Sequence, residues 1–503
     1  MAGADTPGTD GAKAGCGLLI ILALSFALKL VLVTITPIGI DEAYGIAVGR
    51  SLSLSFFDHP PLSFWAPGIA ARLSGIEHPL VYRAPFLIAG LVTTWAMYAI
   101  GVRLGGVRVG LWTAGLYAIA PFFVISTGVL IVPDGPLALF SALTVLSLVR
   151  IAGHGDRAPM AWWLLAGLTL ALALMSKYQA AWIPVAVLVF MLINPRGRRW
   201  FGQAAPWLGV LVGLLGLLPV LVWNLQHGWI SFTFHGSRAG GGMSADNILR
   251  MLVFQAIFLL PTGLLAVLIG IRLAFRRPVR PEVLLLAIIA LGPVLIFNVI
   301  YLTSRGSFAH WAMPGWQFAL PLAGLWLAGL GEATARRFRN WAGGFAIAIW
   351  LPVLLLVIHA QTGFLTRPFT DAAPDWDRTE EVFNLGGLRP GLEARGLWQE
   401  ADLLMAADWV NGGLVDTATG AVLPMRIADL RSAHHFVFME GAAATGTALL
   451  LEPSRLKLAD QTAARLLGMA QAYDANAEIL PPVILNRGGV PYVAVAVVRL
   501  QMR

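Results

Sequence analysis

Residues 15–37 read GCGLLIILALSFALKLVLVTITP, an apolar run whose only charged residue is Lys29. A helix needs about 20 apolar residues to cross the hydrocarbon core of a bilayer, so this run is long enough to span a membrane. Signal peptides begin with a basic segment, have a shorter apolar core and end at a small-residue cleavage site, and this chain lacks that pattern. We therefore expect a retained membrane anchor, preceded by a cytoplasmic tail at 1–14.

Ten further apolar segments follow the first one, which makes eleven predicted spans in an all-α polytopic membrane domain at 15–361. They lie at about 85–102, 110–132, 136–152, 160–176, 180–193, 205–223, 248–271, 282–302, 311–330 and 341–361. The composition supports this class of protein. The chain is 57% hydrophobic and 12% charged, whereas soluble domains carry about 25% charged residues. These values exclude a soluble globular protein, a disordered chain, a collagen and a coiled coil.

The net charge of +8 belongs entirely to the hydrophobic part of the chain. Residues 1–361 contain 23 Lys and Arg against 11 Asp and Glu, whereas residues 362–503 contain 12 against 16. The basic excess is therefore expected to set the orientation of the helices across the membrane, and no nucleic-acid partner is expected. The single cysteine, Cys16, excludes an intrachain disulfide framework and a thiolate metal cluster.

Five short connections between the predicted spans carry most of the arginines, and the positive-inside rule assigns them to the cytoplasm. They contain Arg103 and Arg108; Arg150 and Arg157; Arg196, Arg198 and Arg199; Arg272, Arg276, Arg277 and Arg280; and Arg336, Arg337 and Arg339. The other connections, including a long first loop at 38–84, are then periplasmic. An odd number of spans places the C-terminal segment on the same side, and we expect a multi-pass membrane protein.

The C-terminal segment, 362–503, has the pattern of a small periplasmic α/β domain. Residues 367–396, rich in Pro, Gly and charge, indicate a linker. Hydrophobic periodicity predicts helices and strands in the rest. The predicted helices lie near Leu397–Val410 and Asp460–Tyr473. Two apolar runs lie at His435–Met439 and Ala448–Leu451, and the alternating run Tyr492–Leu500 suits a strand.

The predicted outer side carries nearly all the acidic residues of the membrane domain that could do chemistry. Asp41 and Glu42 follow the first span directly, at the depth of lipid head groups, where carboxylates are costly and are functional candidates. Asp41 could equally cap a helix that begins at Glu42, and the two roles can coexist. Apolar faces at Ala43–Leu54 and Leu62–Leu73 predict interfacial helices in the same loop.

Four other outer motifs place polar side chains between predicted spans. Each also has a purely structural explanation, such as a turn carboxylate, a lysine that reaches the interface, or an aromatic belt. The candidate residues are Asp58 and His59 in Phe57-Asp58-His59-Pro60-Pro61; Asp134 in Pro133-Asp134-Gly135-Pro136; Lys177 and Tyr178 in Ser176-Lys177-Tyr178; and Asn224 and His227 in Trp223-Asn224-Leu225-Gln226-His227-Gly228-Trp229.

Taken in order, Asp41-Glu42-Ala43-Tyr44 and these four motifs resemble the bacterial integral-membrane glycosyltransferases of the GT-C type, over about residues 15–361. These enzymes are related to protein O-mannosyltransferases and to the lipid A aminoarabinose and galacturonic acid transferases. The resemblance implies Asp41 as the general base, a sugar on a polyprenyl phosphate as the donor, and a location in the bacterial inner membrane. Gly45 and Gly135 depart from the family pattern without removing a reactive group.

On this hypothesis Asp41 takes the proton of an acceptor hydroxyl, and the oxygen attacks the anomeric carbon with inversion. Outer-face cations would stabilise the departing lipid phosphate, namely Lys177, Arg83 and Arg305, with His59 beside them. Glu42 and Asp134 would orient Asp41, hold the acceptor or bind a divalent cation, for which Mg²⁺ or Mn²⁺ is the expected ion. Asp58, His59, Asp134, Tyr178, Asn224 and His227 are the expected donor or acceptor contacts.

The sequence leaves three alternatives to this hypothesis. A transporter or lipid flippase would place polar groups near the bilayer midplane within repeated halves, whereas here they cluster on one face and no repeat is visible. A membrane scaffold gives no reason for the clustered Asp, His, Lys and Asn residues. A protein O-glycosyltransferase differs only in the acceptor, and an envelope lipid or glycan is preferred on the resemblance to the bacterial branch.

Overall fold

The computed structural model describes residues 7–154, 157–236, 245–304, 307–366 and 377–503. The chain forms two compact units. The helical unit comprises Met1–Val31, His59–Ser63 and Pro85–Leu351, and the sheet unit comprises Leu32–Asp58, Phe64–Ala84 and Pro352–Arg503. Apart from His59–Ser63, the first loop therefore belongs to the same compact unit as the C-terminal segment.

Apolar helices occupy every predicted span in the described part of the chain. Six of those described are long and apolar enough to cross a membrane, and their bounds are Gly15–Ile35, Pro79–Gly105, Asp134–Gly153, Ala204–Gln226, Pro281–Thr303 and Glu332–Thr362. The first of these is the apolar part of a helix that begins at Pro7. Within Ala204–Gln226 the helix tightens to a 3-10 turn at Leu215–Leu217. The protein is therefore a multi-pass membrane protein.

The expected count of eleven spans is not confirmed, because two of the predicted spans are sharply bent within their length and a third is followed directly by a sharp bend. The bent pairs in the described chain are Val107–Ile119 with Pro121–Gly128 (74°), Tyr178–Ile193 with Pro195–Gly202 (101°), and Asp246–Leu259 with Pro261–Ala274 (98°). Each second helix begins at a proline. Proline keeps the residue before it out of the helical conformation, so the chain changes direction there.

Two more predicted spans are helices too short to cross a bilayer unaided. Met160–Leu174 has 15 residues and Met313–Ala328 has 16. Counting each bent pair as one span gives up to nine within the described residues. The pattern of apolar segments is thus correct, and the difference from eleven comes from bends and short helices.

Small residues bring neighbouring helices of the helical unit into close contact. An ideal Cβ on Gly167 would lie 2.3 Å from the backbone oxygen of Gly209 on the helix Ala204–Leu214. Lipid tails are as apolar as leucine, so helices in a bilayer associate through close packing of this kind.

The sheet unit contains one mixed sheet of five strands. They are β1 Leu403–Ala406, β2 Met425–Ile427, β3 Gly446–Arg455, β4 Glu478–Arg487 and β5 Val490–Met502, in the order β2-β1-β3-β5-β4. β1 pairs in parallel with β2 and β3, whereas β5 is antiparallel to β3 and β4. The amphipathic helix Ala459–Ala470 packs on one face through Ala463 and Leu466.

Residues on the other face of the sheet share an apolar cluster with the first loop, and the helix Trp409–Thr419 contacts both. Two helices of that loop are described, Ile40–Gly49 and Leu62–Ser74, close to the predicted interfacial helices. Tyr44, Val48 and Phe56 lie in one apolar cluster with residues of β1, β3 and β5. Because both faces of the sheet are covered, β5 is buried along almost its whole length and its sequence is an almost continuous apolar run.

The expected small sheet domain is present, and its elements agree in part with the sequence pattern. The strand at Tyr492–Leu500 and the helix near Asp460–Tyr473 were predicted correctly, and the apolar run Ala448–Leu451 lies in β3. The helix predicted at Leu397–Val410 is wrong, since this segment holds a four-residue helix Leu397–Glu400 and then β1. The apolar run His435–Met439 is not a strand, because its first four residues lie in the 3-10 turn His434–Phe438.

The remaining helices of the sheet unit are short. They are Leu388–Glu393 and Trp409–Thr419, with 3-10 turns at Thr379–Val382, Leu430–Ser432, Glu440–Ala443 and Leu456–Leu458. Of the linker predicted at 367–396, residues 367–376 lie outside the described chain.

A buried ion pair fixes β4 to the segment that follows the last membrane helix. Arg487 donates to Asp377 at 2.7 Å and to the hydroxyl of Thr379 at 2.8 Å, and its guanidinium lies 3.6 Å from the ring centroid of Tyr492. His359 Nε2, on the helix Glu332–Thr362, lies 3.3 Å from Asp377 Oδ2. Burial alone would raise the pKa of Asp377, but the hydrogen bonds from Arg487 and Thr379 outweigh it and lower that pKa.

We expect Arg487→Met to destabilise the protein by about 3 kcal/mol, because it leaves the buried Asp377 carboxylate without its main partner. Thermal unfolding of the purified full-length protein in detergent, followed by circular dichroism, measures this. The control is Arg431→Met, whose side chain is 95% exposed and should leave the melting temperature unchanged. Equal melting temperatures for the two variants would contradict the expectation.

Candidate active site

The helix Ile40–Gly49 begins immediately after the first membrane span and carries the Asp41-Glu42 pair in its first turn. Gly39 occupies the N-cap position, and its backbone N–H donates to Glu42 Oε2 at 3.0 Å. The capping role proposed for Asp41 is therefore wrong, since the helix starts one residue before it and Glu42 makes the capping contact. Asp41 is exposed, whereas Glu42 is 1% exposed.

Arg83 holds Glu42 in place. Its side chain is fully buried, and it donates to Glu42 Oε1 at 2.8 Å and Oε2 at 2.6 Å. It also donates to the backbone oxygens of Val33, Thr36 and Pro37, at 3.0, 2.6 and 2.7 Å. These contacts use all five N–H donors that a guanidinium has. The geometry therefore gives Arg83 a structural role, in place of the phosphate contact expected from the sequence.

Asp58 is brought to the same helix by Tyr44. The buried hydroxyl of Tyr44 donates to Asp58 Oδ1 at 3.1 Å and accepts the backbone N–H of His435 at 3.3 Å. Burial, and then the neighbouring Asp58 charge, raise the pKa of Tyr44 well above its usual range, so the hydroxyl stays protonated. Asp41, Glu42, Tyr44 and Asp58 thus belong to one part of the sheet unit.

A second cluster lies in the helical unit. Asp134 is the first residue of the helix Asp134–Gly153, and Lys177 precedes the turn Tyr178–Ala181. The Lys177 ammonium donates to both carboxylate oxygens of Asp134, each at 3.0 Å, and both side chains are buried. Two residues 43 positions apart, each singled out from the sequence, therefore form one ion pair.

His310 lies near this ion pair and was not among the predicted site residues. Burial lowers the pKa of His310 to about 4, with a further lowering by the Lys177 charge and an opposing effect of Asp134. The imidazole is therefore neutral at pH 7. It can donate one hydrogen bond and accept another, and it brings no charge to the ion pair. Its place directly before a predicted span was the only sequence signal.

The segment His59–Ser63 also packs within the helical unit. The backbone N–H of Leu62 donates to the oxygen of Met175 at 2.9 Å, which ties the Pro60-Pro61 turn to the residues just before Lys177. The ring centroids of His59 and His235 are 6.1 Å apart, and those of Tyr178 and His235 are 5.6 Å apart. His235 joins two predicted residues, although no motif in the sequence marked it.

Of the remaining predicted residues, Asn224 and His227 contact neighbours close to them in the sequence, and Arg305 is not among the described residues. The Asn224 amide donates to the oxygen of Val220 at 3.0 Å and accepts the Ser231 N–H at 3.2 Å, which links the helices on either side of the Gly228 turn. The His227 ring stacks on Trp223 with centroids 4.1 Å apart. Among the residues described, no three His, Cys, Asp or Glu side chains are grouped to hold a metal ion.

We expect Glu42→Gln to lower the stability of the protein by about 3 kcal/mol, because it leaves the buried Arg83 guanidinium without its carboxylate. Asp41→Asn should have little effect on stability, since Asp41 is exposed. Melting temperatures of the purified proteins measure both effects. Glu332→Gln serves as the control, because that side chain is 72% exposed. A Glu42→Gln variant as stable as the control would contradict the structural role of the pair.

Comparison with known proteins gives one family and one shared fold. Residues 58–223 match the family described as dolichyl-phosphate-mannose-protein mannosyltransferase. A search of the curated proteins finds no significant match. The chain superposes on ArnT from Cupriavidus metallidurans bound to undecaprenyl phosphate with a TM-score of 0.63, at 15% identity over 95% of this chain and 97% of ArnT.

Two further solved structures are similar to this chain. ArnT in the apo state gives a TM-score of 0.63 at 15% identity, over 96% of this chain and 98% of ArnT. The archaeal oligosaccharyltransferase AglB from Archaeoglobus fulgidus, in complex with an inhibitory peptide and a dolichol-phosphate, gives a TM-score of 0.49 at 12% identity, over 90% of this chain and 71% of AglB. The chain therefore has the fold of ArnT, and its residues 58–223 are similar to the dolichyl-phosphate-mannose-protein mannosyltransferase family.

Proposed function

We propose that the protein is a membrane glycosyltransferase that moves a sugar from a polyprenyl-phosphate donor to a hydroxyl of an envelope lipid or glycan. One observation carries the assignment of the base. Of the two adjacent carboxylates, Glu42 is committed to Arg83 and to the helix N-terminus, whereas Asp41 is exposed at the first turn of a rigidly held helix. The fold shared with ArnT and the family match supply the reaction class.

In the proposed reaction Asp41 takes the proton of the acceptor hydroxyl while the acceptor oxygen forms a bond to the anomeric carbon. The bond from that carbon to the phosphate oxygen breaks, and the polyprenyl phosphate leaves with the electron pair. A single displacement with one base inverts the anomeric configuration. The structure of ArnT bound to undecaprenyl phosphate is consistent with a lipid phosphate in this role.

Lys177 is the proposed partner of the phosphate. An ammonium has three N–H donors, and two of them go to Asp134. The third can donate to a phosphate oxygen, while Asp134 fixes the direction of the side chain. Asp58, His59 and Tyr178 remain proposed donor or acceptor contacts, and Arg305 remains a prediction. A divalent cation, Mg²⁺ or Mn²⁺, remains an expectation from the carboxylates alone.

A protein hydroxyl is the second candidate acceptor. The observation in its favour is that the family matching residues 58–223 is named for protein mannosyltransferases. Both candidates use the same donor and the same base, so they differ only in the molecule that gains the sugar.

We expect Asp41→Asn to abolish product formation, because an amide cannot accept the hydroxyl proton. Mass spectrometry of envelope lipids, glycans and proteins from hosts with the intact protein, with none, and with Asp41→Asn measures this. A sugar-sized mass should be lost in the latter two strains, and the molecule that loses it identifies the acceptor. Asp246→Asn is the control, because Asp246 is an exposed carboxylate in another connection. Persistence of the mass in Asp41→Asn would show that the base lies elsewhere.

We also propose that the basic connections face the cytoplasm and the sheet unit faces the periplasm. Three of the basic connections meet in the helical unit, where Arg280 donates to the oxygen of Leu104 at 2.7 Å and Arg108 to that of Leu330 at 3.0 Å. Such clustering supports the positive-inside assignment.

In a Cys16→Ser background, we expect Arg431→Cys in intact spheroplasts to react with a membrane-impermeant maleimide. Arg198→Cys, in a basic connection, should react only after the membrane is permeabilised. The reverse pattern would overturn the proposed orientation without bearing on the chemistry.

A further inference from the structure

The position of Asp41 depends on a helix that is almost wholly buried. Every residue from Glu42 to Gly49 is buried, and only the first turn, with Asp41, reaches solvent. This burial comes largely from within the sheet unit, since Tyr44, Ala47 and Val48 share an apolar cluster with the strands. The groups that fix the buried part of this helix therefore also fix Asp41.

The first of these groups is Gly413, on the helix Trp409–Thr419. An ideal Cβ on Gly413 would lie 2.6 Å from the backbone nitrogen of Tyr44 and 2.9 Å from its Cα. Real Cβ atoms do not approach backbone atoms so closely, so only glycine permits this packing. Beside it, the hydroxyl of Thr417 donates to the oxygen of Ala43 at 3.4 Å.

The second group is Asp416, one helical turn further along. It accepts a hydrogen bond from Arg50, which is the C-cap residue of the helix Ile40–Gly49. The same guanidinium lies 3.4 Å from Glu77 and 3.4 Å from the hydroxyl of Tyr82. The Asp416 side chain is buried, so little water reaches its carboxylate and Arg50 is the cation that pairs with it.

A third contact comes from the following turn. The backbone N–H of His435 donates to the hydroxyl of Tyr44, and the ring of Trp409 meets that of Tyr44 edge to face at 5.1 Å between centroids. The helix Ile40–Gly49 is therefore fixed at its start by Arg83, along its side by Gly413 and at its end by Asp416.

We propose that Gly413 and Asp416 are positioning residues for Asp41, a role that rests on the proposed function. Asp41 and Arg50 are nine residues apart, which is about 13 Å along a helix. A tilt of about 10° around the Arg50 end would move Asp41 by about 2 Å. Misplacement of a reacting group by about 1 Å can reduce a rate about 100-fold. The C-terminal segment thus supplies part of the geometry of the general base.

A spectroscopic test measures the position of Asp41 directly. Spin labels at Asp41→Cys and Ala475→Cys, in a full-length Cys16→Ser background, report a distance within the sheet unit by pulsed electron paramagnetic resonance. We expect Gly413→Ala and Asp416→Asn each to shift or broaden this distance distribution by about 1–2 Å. The matched controls are Gly468→Ala, where an added Cβ meets no atom within 4 Å, and the exposed Asp460→Asn. Unchanged distributions in both test variants would overturn the proposal.

A functional test uses the same substitutions without the spin labels. We expect Gly413→Ala and Asp416→Asn to reduce the product at least tenfold at equal amounts of folded protein, and the two controls to keep it. Normal product in both test variants, together with loss in Asp41→Asn, would overturn the positioning role alone. Absence of a product even with the intact protein would overturn the proposed function, and the spin-label distances would still decide whether Gly413 and Asp416 fix the helix.

Discussion

The buried Arg83-Glu42 pair is the interaction on which the rest of the candidate site depends. One guanidinium binds the last carbonyl groups of the first membrane span and the carboxylate that caps the next helix. Because a buried charge is tolerated only when it is paired and hydrogen-bonded, this arrangement admits few alternatives. It fixes where the chain leaves the span, and so where Asp41 is presented.

The sequence was sufficient to predict the polytopic class and the approximate place of the six described helices that are long enough to cross a membrane, because long apolar runs have few other interpretations. It did not predict the bends at Pro121, Pro195 and Pro261, since a proline can either kink a helix or end it. In the candidate site, Asp134 and Lys177 were each recognised, but their pairing depends on tertiary packing. Arg83 was assigned to phosphate for the same reason, because its burial is not visible in the sequence.

The sheet unit shows why short strands were harder to predict than spans. β2 has only three residues and β4 contains two adjacent prolines, so neither has the alternating pattern of a half-buried strand. The apolar face at Ala43–Leu54, interpreted as part of a membrane-surface helix, instead lies in an apolar cluster with residues of β1, β3 and β5. Hydrophobic periodicity reveals that a face is buried, but it does not identify the partner.

The core of the sheet unit joins segments made at very different times during synthesis. Thr417 contacts Ala43 across 374 residues of chain, and His435 contacts Tyr44 across 391. At about 5–20 residues per second, translation needs about 20–80 s to cover that distance. Throughout that interval the helix Ile40–Gly49 lacks the helix Trp409–Thr419, which packs against it. The helix Ile40–Gly49 would therefore be among the first parts of the protein to be made and among the last to reach its final packing.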